Sequence, residues 1–350
     1  MATEFLTSLG WRAFFQSQLD NEDPGSVHPA RVLAVHRGRI DVVDATATPV
    51  SIALSGHSAE LDIAVGDWVL IDTSGPRVTR VLDRFSVFLR RAAGTAAETQ
   101  LIAANVDTLF IVTSADRDFN VARLERYLAI ASDAGAFPVI VITKADTSDS
   151  VAEFVRQAAR LSPGLLVEAL DARDADAVAV LRPLCEPGQT VALLGSSGVG
   201  KSTLINTLAG THQETRAVRA DDQRGRHTTT SRSMHALPSG GWLIDTPGMR
   251  ALQLVDVGDA LDDVFADVSG LAESCRFADC AHEAEPGCAV LAAIAQNELD
   301  PERLRRYRKL LAEDRHNTET LAERRARDKS FGKMCKTIMA EKRKGTRGKT

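Results

Sequence analysis

Aromatic residues make up only 5% of this 350-residue chain, and no apolar run is long enough to cross a membrane. The longest runs, TLFIVT and FPVIVIT, are strand-length, whereas a spanning helix needs about 20 apolar residues. The opening stretch MATEFLTSLGWRAFF holds an acid near its start and no basic cluster, so no secretory signal is expected. Membrane and exported classes are set aside, and the cytoplasm is the expected compartment. Cysteine is scarce and unevenly placed. Of five, Cys275, Cys280 and Cys288 fall within fourteen residues beside His282, while Cys185 and Cys335 stand apart. Disulfides persist in oxidising compartments, so in a cytosolic chain this spacing reads as metal before disulfide.

What is present describes an ordinary globular chain, 44% apolar and 25% charged, long enough for two or three domains. Its charge is poorly mixed. The net is −5, yet residues 324–350 hold eleven Lys or Arg against Asp328 and Glu341, a net of +9 that leaves −14 for the rest. An acidic body with a basic tail suits a polyanionic partner; a solvated tail is the other reading.

Helical spacing of Phe5, Leu6, Leu9, Trp11, Phe14, Phe15 and Leu19 predicts an N-terminal helix over 4–22. Short β-rich runs between residues 30 and 85, separated by Gly, Pro, Asp and Ser, predict a small closed or nearly closed barrel. From residue 100 to about 250, apolar strands alternate with helices, the pattern of a mostly parallel sheet covered on both faces. Beyond 256 the pattern is helical, with a long polar helix from Pro301.

Gly195-Ser196-Ser197-Gly198-Val199-Gly200-Lys201-Ser202-Thr203 fits G-x4-G-K-[ST] between a strand and a helix, the context a phosphate-binding loop requires. Its amides and the helix N-terminus would hold the β-phosphate, Lys201 would reach the β- and γ-phosphates, and Ser202 would ligate Mg²⁺. DTPG at 245–248 ends the next strand. Asp245 would serve Mg²⁺, and the Gly248 amide would sense the γ-phosphate. Between them, GRHTTTSR offers Thr228, Thr229 and Thr230 as candidates for the threonine that closes over Mg²⁺. The run VITKAD at 141–146 has the form of a guanine-reading loop. Asp146 would accept from the base edge and the Lys144 stem would cover the ring. That loop precedes the phosphate loop, the reverse of the ordinary order. Loops at strand ends need only meet in space, so the chain reads as a circularly permuted GTPase.

Cys275-x4-Cys280-x-His282-x5-Cys288 supplies three thiolates and an imidazole, a closed tetrahedral set for structural Zn²⁺. Reduced core cysteines are the plain alternative, but the intervening RFAD and EAEPG are too polar for a core.

The order TKAD, GSSGVGKST, GRHTTT, DTPG, with CRFADCAHEAEPGC after it, resembles the ribosome small-subunit-dependent GTPase A family. The resemblance covers nearly the whole chain. It implies an N-terminal helical extension (1–26), an OB-fold RNA-binding barrel (27–95), a permuted GTPase domain (96–255) and an α-helical zinc domain with a basic tail (256–350). It also implies GTP, GDP, Mg²⁺ and one Zn²⁺ as ligands. The implied partners are the 30S subunit and its 16S rRNA, with no membrane, the chain acting as a monomer late in subunit maturation. Two departures carry expectations. Thr143 stands where the family has Asn, so the tie from base loop to phosphate loop, and guanine affinity, are expected to weaken. Met249 follows DTPG where small GTPases carry a catalytic Gln, so family position makes His227 the water-positioning candidate, beside Lys201 and Thr229. An RNA-binding protein that nucleotide merely stabilises, or a switch for a protein partner, remains the alternative.

Overall fold

The computed structural model of this chain describes residues 2–19, 25–91, 99–210, 232–245, 249, 252, 254–255 and 257–318. Two short helices, α1 (Ala2–Ser8) and α2 (Ala13–Gln16), stand where one helix was expected. The break falls at Gly10, whose φ of +94° lies in the left-handed region that L side chains resist. It turns Leu9, Trp11 and Phe15 onto Trp68, Leu70 and Leu82 in a cluster of their own.

Strands β1 (Val27–His36), β2 (Arg39–Val43), β3 (Pro49–Ala53), β4 (Trp68–Asp72) and β5 (Val78–Val81) pair antiparallel as an OB-like unit. Alternate residues, among them Ala30, Val32, Ile40, Val42, Val69 and Ile71, fill its interior. A ribbon of β6 (Val87–Arg91) and β7 (Thr99–Ala104) follows. Arg31, 1% exposed, joins these parts: it donates to the carbonyls of Leu9 and Asn105, and burial pushes its pKa down to about 9.

The central unit runs β8 (Thr108–Ser114), α3 (Val121–Asp133), β9 (Phe137–Thr143), α4 (Val151–Ala159), β10 (Leu166–Ala169), α5 (Ala175–Val178), β11 (Thr190–Leu194), α6 (Lys201–Ala209), β12 (Arg232–Ala236) and β13 (Trp242–Asp245). In space the strands lie in the order β10-β9-β8-β11-β13-β12. All neighbours are parallel except β12 with β13. Side chains alternate between two cores, as strands covered on both sides require. Phe110, Val112, Val139, Val141, Val191 and Leu193 face one layer; Leu109, Ile111, Ile140, Ile142, Ala192 and Leu194 face the other. Between β10 and β11, α5 is only a turn of α-helix that tightens into a 3₁₀ stretch through Pro183 to Cys185, proline supplying no N–H.

Strand β12 also pairs antiparallel with β1, so barrel and central sheet are continuous, which the sequence did not predict. Of the remaining helices, α7 (Gly258–Val264), α8 (Ala266–Ala272), α9 (Ala289–Ala295) and α10 (Pro301–Thr318), α7 packs on α3, α8 and α10 pack on α7, and α9 packs on α8, with Leu261, Phe265, Val290, Leu304 and Tyr307 in one shared core. No helix among the described residues is long and apolar enough to cross a membrane.

Candidate nucleotide and metal sites

The base-reading loop, the phosphate loop and the start of DTPG stand at the carboxyl ends of parallel strands β9, β11 and β13, where open sheets of this kind hold ligands. Residues 195–200 leave β11 and enter α6 at Lys201. Gly195 passes so close to β8 that a Cβ would sit 2.2 Å from the Val112 carbonyl, and Gly200 has φ +93°. Those two positions demand glycine. Lys201 is buried, its ammonium donating to the carbonyl of Gly195 at 2.7 Å and to that of Ser196. Ser197, Gly198 and Ser202 are exposed, while Ser196 and Thr203 are half-buried.

Strand β13 pairs in parallel with β11 as far as Ile244 against Ala192, so Asp245 ends its strand level with Leu193, two residues before the phosphate loop begins at Gly195. Gly248, His227 and Thr228, Thr229 and Thr230 lie outside the described residues. Met249 is buried at 1% exposure among Leu252, Leu254 and Val257, so it anchors the segment after DTPG in the core.

The base-reading candidates sit beside this loop, although 56 residues separate Thr143 from Val199. The expected loosening at Thr143 is corrected by the structure. Its buried hydroxyl lies 2.5 Å from the Val199 carbonyl and 3.1 Å from the Thr113 carbonyl, sharing one proton between them. Thr143 therefore ties the two loops directly, and the shorter side chain suffices because Gly200 lets the loop approach: a Cβ there would meet Thr143 Oγ1 at 3.2 Å. Thr143→Val keeps the shape and deletes the bond. Guanine-nucleotide affinity is expected to fall about five- to tenfold, matching about 1 kcal/mol for one net hydrogen bond, in a fluorescent-GDP titration.

Lys144 adopts φ +57° and pairs with Asp116 at 2.8 Å. Burial would raise the Asp116 carboxyl; bonds from the Lys144 ammonium, the Asp118 amide and the Ser114 hydroxyl outweigh it and hold it at about 2. Asp146 is paired at 2.7 Å with Arg173, which Asp171 also holds. Sequence reasoning missed Asp116, Arg173 and Arg123, which donates to Ser196 Oγ in the phosphate loop and to Asp118 at 2.8 Å. The available signal was positional: ADRD and DARD each follow a strand at the same end of the sheet as the phosphate loop.

At the other site, the ligand atoms of Cys275, Cys280, His282 and Cys288 all lie within 4.8 Å of one another. Cys275 Sγ and Cys288 Sγ are 3.8 Å apart, and His282 Nδ1 is 3.6 and 3.4 Å from them. A disulfide needs about 2.05 Å. Tetrahedral Zn²⁺ at ~2.3 Å from sulfur and ~2.1 Å from nitrogen requires edges of roughly 3.5–3.8 Å, so the cluster fits that ion. Burial holds the His282 imidazole below its ordinary pKa, favouring the neutral ligand form.

The model of the RsgA GTPase family matches residues 81–255. The chain is 49% identical over 97% of its length, and 94% of the relative's, to "Small ribosomal subunit biogenesis GTPase RsgA 2" of Vibrio parahaemolyticus. It is 51% identical to "Small ribosomal subunit biogenesis GTPase RsgA" of Mesorhizobium japonicum, over 89% of this chain and 91% of that one. Its fold is similar to the crystal structure of YloQ, "a circularly permuted GTPase", with TM-score 0.62, 25% identity, and 85% and 99% of the two chains covered. Phosphate loop, permuted strand order and Cys3His cluster thus come together in a chain that belongs to the RsgA GTPase family.

Proposed function

We propose that this protein hydrolyses GTP on the small ribosomal subunit late in its assembly, working in the cytoplasm as a monomer that grips 16S rRNA. The observation that carries the chemistry is the Thr143–Val199 bond, which makes one site of a base-reading loop and a phosphate loop that the chain supplies in permuted order. Asp146 reads guanine by accepting from its N1–H and N2–H₂, which requires Arg173 to give up one carboxylate oxygen. The Lys144 stem, fixed at its tip by Asp116, covers the ring. Lys201 turns from the carbonyls of Gly195 and Ser196 to the β- and γ-phosphates. Ser202, Asp245 and one of Thr228, Thr229 and Thr230 hold Mg²⁺, which would neutralise the phosphate charge. His227 orients water, because buried Met249 cannot. Cys275, Cys280, His282 and Cys288 hold one Zn²⁺ as a structural clamp.

The test is steady-state GTP and ATP hydrolysis with and without purified 30S subunits, for wild type and Lys201→Ala. Slow GTP turnover should rise at least ~100-fold with subunits, about 2.7 kcal/mol of barrier. It should be absent with ATP and vanish in the variant. Turnover indifferent to subunits would leave a nucleotide-stabilised binding protein instead.

A further inference from the structure

Arg173 stands outside the base-reading loop, in the DARD segment after β10, yet it reaches Asp146. Three contacts fix that segment. The Ala145 amide donates to the Leu170 carbonyl at 3.3 Å, which joins the segment to the base-reading loop. The Thr207 hydroxyl of α6 lies 2.7 Å from the Ala172 carbonyl, which joins it to the helix that follows the phosphate loop. The Arg173 amide donates to Asp171 Oδ1 at 2.9 Å, turning the chain so that the two side chains meet. Asp171 then holds the guanidinium side-on, through Nε at 3.0 Å and Nη2 at 2.9 Å, and Nη2 also donates to Asp146 Oδ2 at 2.7 Å. Nη1 has no partner among the described residues. The Arg173 side chain is 68% exposed, and an ion pair so placed adds little stability and yields to a better partner. Holding the fold together is therefore not what the Arg173–Asp146 pair does.

We propose that Arg173 is a specificity-determining residue for the base, donating to guanine O6 while Asp146 accepts from N1–H and N2–H₂. The inference rests on the guanine reading of Asp146 above and adds the cationic half of the same site. On guanine, O6 and N1–H are neighbours on one edge, an acceptor beside a donor. When N1–H takes the carboxylate oxygen that Arg173 gives up, the guanidinium, still tethered by Asp171, stands beside O6. An anion thus reads the donors and a cation reads the acceptor. Adenine fails both halves. It puts an amino group where Arg173 needs an acceptor, and an unprotonated N1 where Asp146 needs a donor. Arginine suits the position better than lysine, because its planar fork keeps Asp171 along one side while its free end exchanges one acceptor for another.

The test titrates the full chain with GDP and with 6-thio-GDP, in a slightly acidic buffer that keeps N1 of the thio base protonated. In 6-thio-GDP a sulfur, a weak acceptor, replaces O6 while the N1–H and N2–H₂ donors stay in place. Wild type is compared with Arg173→Met, which keeps most of the side chain's length and removes every donor. Wild type should bind GDP about tenfold more tightly than 6-thio-GDP, as one charge-assisted hydrogen bond allows. Arg173→Met should bring that ratio down to about twofold or less. It should also bind 6-thio-GDP at least as tightly as wild type does, because Asp146 no longer has a cation to shed; a misfolded variant does neither. An unchanged ratio in Arg173→Met overturns the proposal, since O6 would then be read by another group. So does a wild-type chain that binds the two nucleotides equally. Wild type that takes ADP as readily as GDP would instead overturn the guanine reading of Asp146 on which the proposal stands.

Discussion

Cys288→Ser is expected to strip the zinc and unfold the C-terminal helices, although serine is a better helix cap than cysteine. Cys288 has two jobs: its Sγ accepts from the Leu291 amide as the N-cap of α9, and it stands 3.4–3.8 Å from His282 Nδ1 and Cys275 Sγ. Serine preserves the first role and forfeits the second, because a hydroxyl is a poor ligand for the metal that thiolates select. The variant therefore separates capping from coordination. Structural zinc sites contribute about 10–16 kcal/mol of apparent folding free energy, against about 5–15 kcal/mol for the stability of a whole domain. Three of the four helices are only seven residues long and their shared core is modest: Val290, Ala293, Leu304 and Tyr307 with Leu261 and Phe265. Metal analysis should fall from one zinc per chain to none, and hydrogen-exchange protection should vanish from 289–318 while that of β8, β9 and β11 persists. A chelator should do the same to the wild type. Full protection in a zinc-free variant would mean that the cysteines are simply core thiols.

The central sheet was legible because burial on both faces writes itself into sequence as unbroken apolar runs. TLFIVT, FPVIVIT and TVALL became β8, β9 and β11, with alternate residues dividing between two cores. The phosphate loop was legible for a different reason: glycine was required at Gly195 by a backbone contact and at Gly200 by its φ. What escaped was long-range or a matter of degree. Nothing local says that β12 will add its edge to β1, since pairing across 197 residues (Val35 with Arg232) leaves no periodicity. The N-terminal helix has a helical pattern on both sides of Gly10, but one left-handed glycine redirects it. Thr143 was judged by the amide it lacks, and the carbonyl its hydroxyl would find belonged to a loop 56 residues away. Glu125 escaped entirely, being one acid in a polar helix, LERYL, until α10 closed over it.

That buried acid carries the second large expectation: Glu125→Ala should destabilise the protein by about 3–5 kcal/mol, the cost of leaving a buried charge without its partner. Glu125 is 0% exposed and accepts from Arg303 at 2.8 Å and from Arg306 at 2.8 and 2.9 Å. Arg303 is itself buried, over the Phe265 ring at 4.1 Å, with further bonds to Asp267 and to the carbonyls of Leu161 and Val264. Without Glu125 its charge keeps Asp267, which is half-exposed and a weaker counter-ion. The loss lands on the joint between α3 and α10, so thermal unfolding should shift down by roughly 10 °C, with exchange protection of α10 failing before that of the sheet. Arg303→Leu alone should cost less, because Glu125 keeps Arg306. The double variant should cost less than the sum of the singles, the sign of a shared network. Strict additivity would show that the pair does not couple. Coupling would make α3 the common support of two sites, since Arg123, two residues before Glu125, holds Ser196 of the phosphate loop. In that case Glu125→Ala should also weaken GDP binding at temperatures where the fold is intact, while Ser132→Ala, farther along the same helix, should leave it unchanged.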